Sequence, residues 1–111
     1  MLLPNADKAI INPEKITGYV LNFDHFEGKN KARMFASVFG LTKSNAEDLI
    51  KAIKEAILKT EALKQSESEY GIKYTVSFNF TYNKKSALIR TVWIVENKDN
   101  IARLITCYIK L

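Results

Sequence analysis

This sequence is short of the residues that most often build a small active site. It holds one histidine, His25, and one cysteine, Cys107. A lone cysteine cannot close an internal disulfide and suits a reducing compartment. One histidine and one cysteine fall short of the three or four ligands of a zinc site, so neither a metal nor a cofactor is expected. The four glycines do not form a phosphate loop. A Gly-x-Ser-x-Gly elbow and a Cys-x-x-Cys pair are also missing. No apolar run nears the roughly 20 residues that a membrane-spanning helix needs. The opening "MLLPNADKAI" carries Asp7 and no basic n-region, which does not fit a secretory signal. The expectation is a cytoplasmic protein with no membrane partner.

What is present is ordinary for a globular chain. Apolar residues make up 47% of 111 residues and charged residues 26%, enough for one domain, 1–111, with a core of its own. Seventeen basic against twelve acidic residues leave a net charge of +5, a balance that favours polyanionic partners without requiring them.

The apolar spacing changes character once, near residue 68. Before it the period is helical. Asn12 as N-cap, Pro13 at the first helical position and Gly18 as a stop predict a short helix over 13–17. "YVLNF", residues 19–23, reads as extended or as an additional short strand. Ala32, Phe35, Ala36 and Phe39 predict a helix over 31–39, closed by Gly40. Ser44 and Glu47 have capping-box spacing and open a long helix over 45–63, with Ala46, Leu49, Ile50, Ile53, Ala56 and Ile57 on one face. "YGIKYTVSFNFTY" alternates without error from Tyr70 to Tyr82, the mark of a half-buried strand. Asn83-Lys84-Lys85 makes a turn. Ala87 to Glu96 is a central strand, apolar on both sides, and 101–110 is a third. The fold class is therefore α+β, with N-terminal helices packed on a three-stranded antiparallel meander.

Several residues invite chemistry. His25 can take and return a proton near neutral pH, although a surface-loop histidine with no task is the simpler reading of it. Lys29, Lys31 and Arg33 crowd a helix start, where the dipole favours anions rather than cations. On the sheet, Lys73, Thr75, Ser77 and Asn79 share the polar side of the first strand. Arg90, Thr91 and Trp93 follow on the next, and Arg103, Thr106 and Tyr108 on the last. Arginine can clamp a phosphate and an aromatic ring can stack on a base. Trp93 reads better as core, and Cys107 as a small buried residue. Which of these share a face depends on register. A two-residue turn pairs odd with even positions, and a three-residue turn pairs like with like.

The stretches "LPNADKAIINPEKITGYVLN..H..G..KARMF", "YGIKYTVSF", "IRTVWIV" and "ARLITCYI" together resemble a bacterial domain family of unknown function, found as small stand-alone proteins. Ala102 stands where those relatives usually carry proline. The histidine-glycine-lysine entry into a helix, the order of helix then antiparallel sheet, and the closing "ITCY" look like the barnase–EndoU–colicin–RelE group of ribonuclease toxins. That resemblance implies metal-independent RNA cleavage by the ribose 2′-hydroxyl. It implies His25 as general acid or base, Lys31 at the phosphorane, Arg90 or Arg103 holding the phosphate, and Thr106 and Tyr108 hydrogen-bonding it. Lys29 and Arg33 join as further RNA-binding cations. The partners expected are RNA and a cognate antitoxin. The competing expectation is a non-catalytic interaction module of a two-gene toxin–antitoxin-like system, a homodimer among its forms. A small-molecule pocket has only the aromatic content in its favour. The nuclease requires His25, Lys31 and the last strand to meet in one cleft.

Overall fold

A computed structural model describes residues 1–110. After a 3₁₀ turn at Ala6–Lys8, the short helix α1 (Pro13–Lys15) starts where expected, with the Asn12 side chain accepting from the Glu14 amide at 3.0 Å. It does not stop at Gly18. A π-helical turn, Ile16–Val20, carries it on, and the Leu21 amide donates to the Ile16 carbonyl at 2.8 Å. The short strand expected over 19–23 is therefore absent. Val20 and Leu21, adjacent in sequence, are both buried, and the Leu21 amide is taken up within the helical turn rather than by a ladder partner.

Helix α2 (Lys29–Phe39) begins two residues before the expected start. His25 prepares that start: its ring Nδ1 accepts from the amides of Glu27 and Gly28, each at 3.0 Å, and its carbonyl accepts from Lys29. Gly40 closes the helix in the left-handed region at φ 67°, as the sequence predicts. The expected Ser44–Glu47 box is displaced. The Ser44 hydroxyl pairs with that of Thr42, and the Asn45 side chain accepts from the Thr42 amide at 3.1 Å.

Helix α3 (Ala46–Ile57) ends six residues earlier than its predicted boundary at 63. The chain turns over 58–61 and enters a strand at Ala62, so the sheet has four strands rather than three among the described residues: β1 (Ala62–Glu67), β2 (Gly71–Tyr82), β3 (Lys85–Glu96) and β4 (Ala102–Lys110), an antiparallel meander in that order. Strand β1 wins over helix because β2 would otherwise present a free row of amides and carbonyls along its edge.

The hairpin between β2 and β3 decides the register. Tyr82 pairs with Lys85, so the turn is Asn83-Lys84 alone, both at positive φ, 51° and 63°. Two consecutive left-handed residues are the signature of a type I′ turn, whose twist matches the strands. Strand β3 thus starts at Lys85 rather than 87, and odd positions pair with even. One face carries Tyr74, Val76, Phe80, Ile89, Trp93 and Cys107 into the core against Phe35, Phe39, Leu49, Ile53 and Ile57 of the helices. The other carries Ser77, Arg90 and Tyr108 side by side across three strands. No helix among the described residues is long and apolar enough to cross a membrane.

Trp93 is fully buried, as expected. Its indole N–H donates to the Thr91 hydroxyl at 2.7 Å, and that hydroxyl donates to the Val76 carbonyl at 2.7 Å. Thr91→Val removes the hydroxyl that both bonds share and strands the indole N–H, which costs about 1–3 kcal/mol. Urea unfolding should register that loss, while Thr91→Ser should recover most of it.

Candidate functional site

The site begins with an irregularity in the last strand. Along β4, Ala102 and Leu104 are buried, and simple alternation would bury Thr106 and Tyr108 next. Instead Val92 pairs with Thr106 while Trp93 pairs with Leu104, leaving Ile105 as an extra residue. This bulge reverses the phase. Cys107 and Ile109 take the core positions, and Thr106 and Tyr108 turn to the open face beside Arg90.

Lys31, in the first turn of α2, reaches these residues at the β4 edge. Its ammonium donates to the Thr106 hydroxyl at 3.2 Å and to the Tyr19 hydroxyl at 2.8 Å. It lies 4.5 Å from the Tyr19 ring centroid and 5.8 Å from that of Tyr108. Tyr19 in turn packs on His25, with ring centroids 4.7 Å apart. His25, Lys31, Thr106 and Tyr108 are thus joined through Tyr19 at one edge of the molecule. An open cleft of about 250 Å³ lies there, lined by Asn30, Lys31, Met34, Tyr108 and Ile109. A larger groove on α3, about 370 Å³ and lined in part by Ile50 and Leu58, contains none of the predicted residues.

The charge at Lys31 is unusual in its company. Among the described residues no carboxylate lies within ion-pair distance of it. Its neighbours are two neutral hydroxyls and two ring faces, which orient an ammonium without neutralising it. His25 is oriented too: because Nδ1 accepts two amide hydrogens, the neutral ring carries its proton on Nε2. Among the described residues, no group of three or more His, Cys, Asp or Glu side chains gathers as metal ligands.

The remaining predicted residues divide. Arg90 is half-buried opposite Tyr108, its Nε 3.4 Å from the Ser77 hydroxyl. Lys29 lies 5.7 Å from the ring centroid of Phe26. Arg33 is exposed, and its spacing of two from Lys31 puts it on a different side of α2. Arg103 is committed elsewhere, gripping the Asp99 carboxylate with two nitrogens at 2.7 and 3.2 Å. That grip, with help from the Ile101 amide, holds the Asp99 carboxyl below the usual carboxylate range.

Sequence reasoning misses Tyr19, since a π-helical turn leaves neither a helical nor a strand period to read. It also leaves Gly28 without a reason. A Cβ at Gly28 would stand 2.1 Å from the Tyr19 carbonyl oxygen, so only glycine lets the His25 turn close against Tyr19. Gly28→Ala should therefore destabilise the fold by about 1–3 kcal/mol and separate the His25 and Tyr19 rings, visible as loss of their mutual ring-current shifts in NMR.

Cys107 is fully buried, and desolvation pushes its thiol up to about 12 against the opposing pull of the Lys31 charge. It is a thiol throughout the neutral range, and the thiolate is the reactive form. A thiol reagent added at neutral pH should label native protein only as fast as the protein unfolds.

No curated protein matches the chain in sequence. Among solved structures, one chain of the contact-dependent growth inhibition toxin–immunity protein complex from Klebsiella pneumoniae 342 has the same fold. The TM-score is 0.70 over 92% of this chain and 100% of that one, at 15% identity. The model of the family described as "Domain of unknown function (DUF6883)" matches residues 2–111, and the chain belongs to that family.

Proposed function

We propose that this protein is a metal-independent ribonuclease of the toxin type, acting at the cleft between α2 and the β4 edge, with His25 brought in beside it on the Tyr19 ring. The observation that carries the reading is Lys31: a half-buried ammonium, fixed by the hydroxyls of Tyr19 and Thr106, with no carboxylate within ion-pair distance among the described residues. Such a group attracts an anion from solution, and a phosphodiester is the anion that the net charge of +5 favours.

The reaction follows from the neighbouring groups. The ribose 2′-oxygen attacks the adjacent phosphorus, its proton passing to a base. The bond to the 5′-oxygen breaks, and that oxygen takes up a proton, leaving a 2′,3′-cyclic phosphate and a 5′-hydroxyl. His25 Nε2 makes one of the two proton transfers. Lys31 stabilises the negative charge that builds on the phosphoryl oxygens, and Thr106 and Tyr108 donate hydrogen bonds to them. Arg90 anchors a flanking phosphate from the open sheet face. The similarity in fold to a chain of a toxin–immunity complex supports a cognate inhibitory protein as partner.

A second reading, a non-catalytic interaction module, draws on β1. It is an edge strand, exposed from Leu63 to Glu67, and such an edge can accept a strand from another chain.

Purified protein and total RNA distinguish the two. His25→Asn keeps an acceptor for the Glu27 and Gly28 amides but cannot transfer a proton. It should lower cleavage by about 10²–10⁴-fold while leaving the melting temperature nearly unchanged. Lys31→Met should lower it by about 10²–10³-fold. Intact RNA with soluble wild-type protein would reject the nuclease and leave the interaction module.

A further inference from the structure

The chain has six phenylalanines, and four belong to the interior. Phe35, Phe39 and Phe80 are buried, and Phe78 packs against the same core. The other two, Phe23 and Phe26, lie in the turn that carries His25, and they are 46% and 86% exposed. A single apolar residue on a surface is unremarkable. Two large rings flanking the only histidine within four positions are a local concentration, and neither adds to the folded core.

The surroundings of Phe26 indicate what would cover it. Lys29, at the start of α2, stands 5.7 Å from its ring centroid, while Lys31, two positions on, leaves a different side of the helix. Asp24 and Glu27, both exposed, border the ring in sequence. The turn therefore supplies an apolar ring face rather than a phosphate site, while positive charge begins with the helix. A partner with one flat apolar element, and an anion a few ångströms away, fits that order. A nucleotide has both: its base stacks on aromatic side chains whatever its identity, and its phosphate seeks the lysines.

We propose that Phe26 is a stacking site for an unpaired nucleobase whose adjacent phosphate meets Lys29. The proposal rests on the ribonuclease reading and adds a substrate class to it. A base within a duplex has both faces occupied by its neighbours, whereas a base in a loop, bulge or single strand has a face to give. The preferred substrate is thus single-stranded RNA or a loop, held by the stacked base with little regard to its identity.

The test uses full-length protein and one labelled RNA oligonucleotide, alone or annealed to its complement, together with a 2′-O-methyl copy that cannot be cleaved. Wild type should cleave the single strand well ahead of the duplex. Phe26→Ala should raise KM for the single strand, and weaken binding of the 2′-O-methyl copy, by about 5- to 150-fold. Its kcat should change little, and Phe26→Trp should restore binding. Thermal melting of Phe26→Ala should match wild type, since the ring is outside the core. Cleavage and binding identical in wild type and Phe26→Ala would overturn the stacking site and leave the nuclease standing. A wild type that does not cleave, yet binds the 2′-O-methyl copy through Phe26, would overturn the nuclease and keep the site. Absence of both cleavage and binding would overturn both.

Discussion

One lysine ties the two halves of this molecule together. Lys31 leaves α2, reaches the β4 edge and donates to hydroxyls from two distant parts of the chain, Tyr19 and Thr106. An ammonium so placed needs solvation or partners, because moving its charge away from water is costly. The partners it has are neutral, so they orient the charge and leave it available. The geometry around it follows from this. Tyr19 must come close enough to accept, His25 then rests on the Tyr19 ring, and Gly28 must be glycine for the turn to close.

Irregular backbone does much of this positioning. The π-helical turn at Ile16–Val20 brings Tyr19 toward α2 while Ile16 and Val20 fill the core. The bulge at Ile105 turns Thr106 and Tyr108 outward while Cys107 and Ile109 fill it. Each device separates two demands on a short segment: bury the apolar side chains, and present polar ones at a chosen edge. Extra residues in strands commonly re-aim side chains in this way. Here the two irregularities face one another across Lys31.

His25 has a double position. It ends the turn before α2 by accepting two amide hydrogens at Nδ1, and the same bonds fix the tautomer and direct the proton to Nε2. A cap and a proton donor are compatible in one imidazole because its nitrogens are distinct. The structural task is compatible with the proposed chemical one, since it orients the ring and leaves Nε2 free of those two bonds. Arg103 is different, since its guanidinium is consumed by Asp99, whereas Arg90 makes a long contact to Ser77.

Much of this was legible in the sequence, because local patterns reflect local forces. The alternation from Ile72 to Tyr82, the helical spacing of Leu49, Ile53 and Ile57, the Asn12 cap and the Gly40 stop are properties of neighbouring residues, and all of them appear in the fold. So do the α+β class and the placement of Trp93 in the core. What tertiary structure decided was non-local. Strand β1 exists because β2 offered it an edge, against a helical pattern that ran on through Leu63. Residues 19–23 left the extended path because the core took up both Val20 and Leu21. The register was settled by two residues at positive φ, and the faces of Thr106 and Tyr108 by one unpaired isoleucine. Residue identities made His25, Lys31, Thr106 and Tyr108 candidates. Only packing could bring them to one edge and insert Tyr19 between them, because contacts across more than seventy residues of chain leave no periodicity to read.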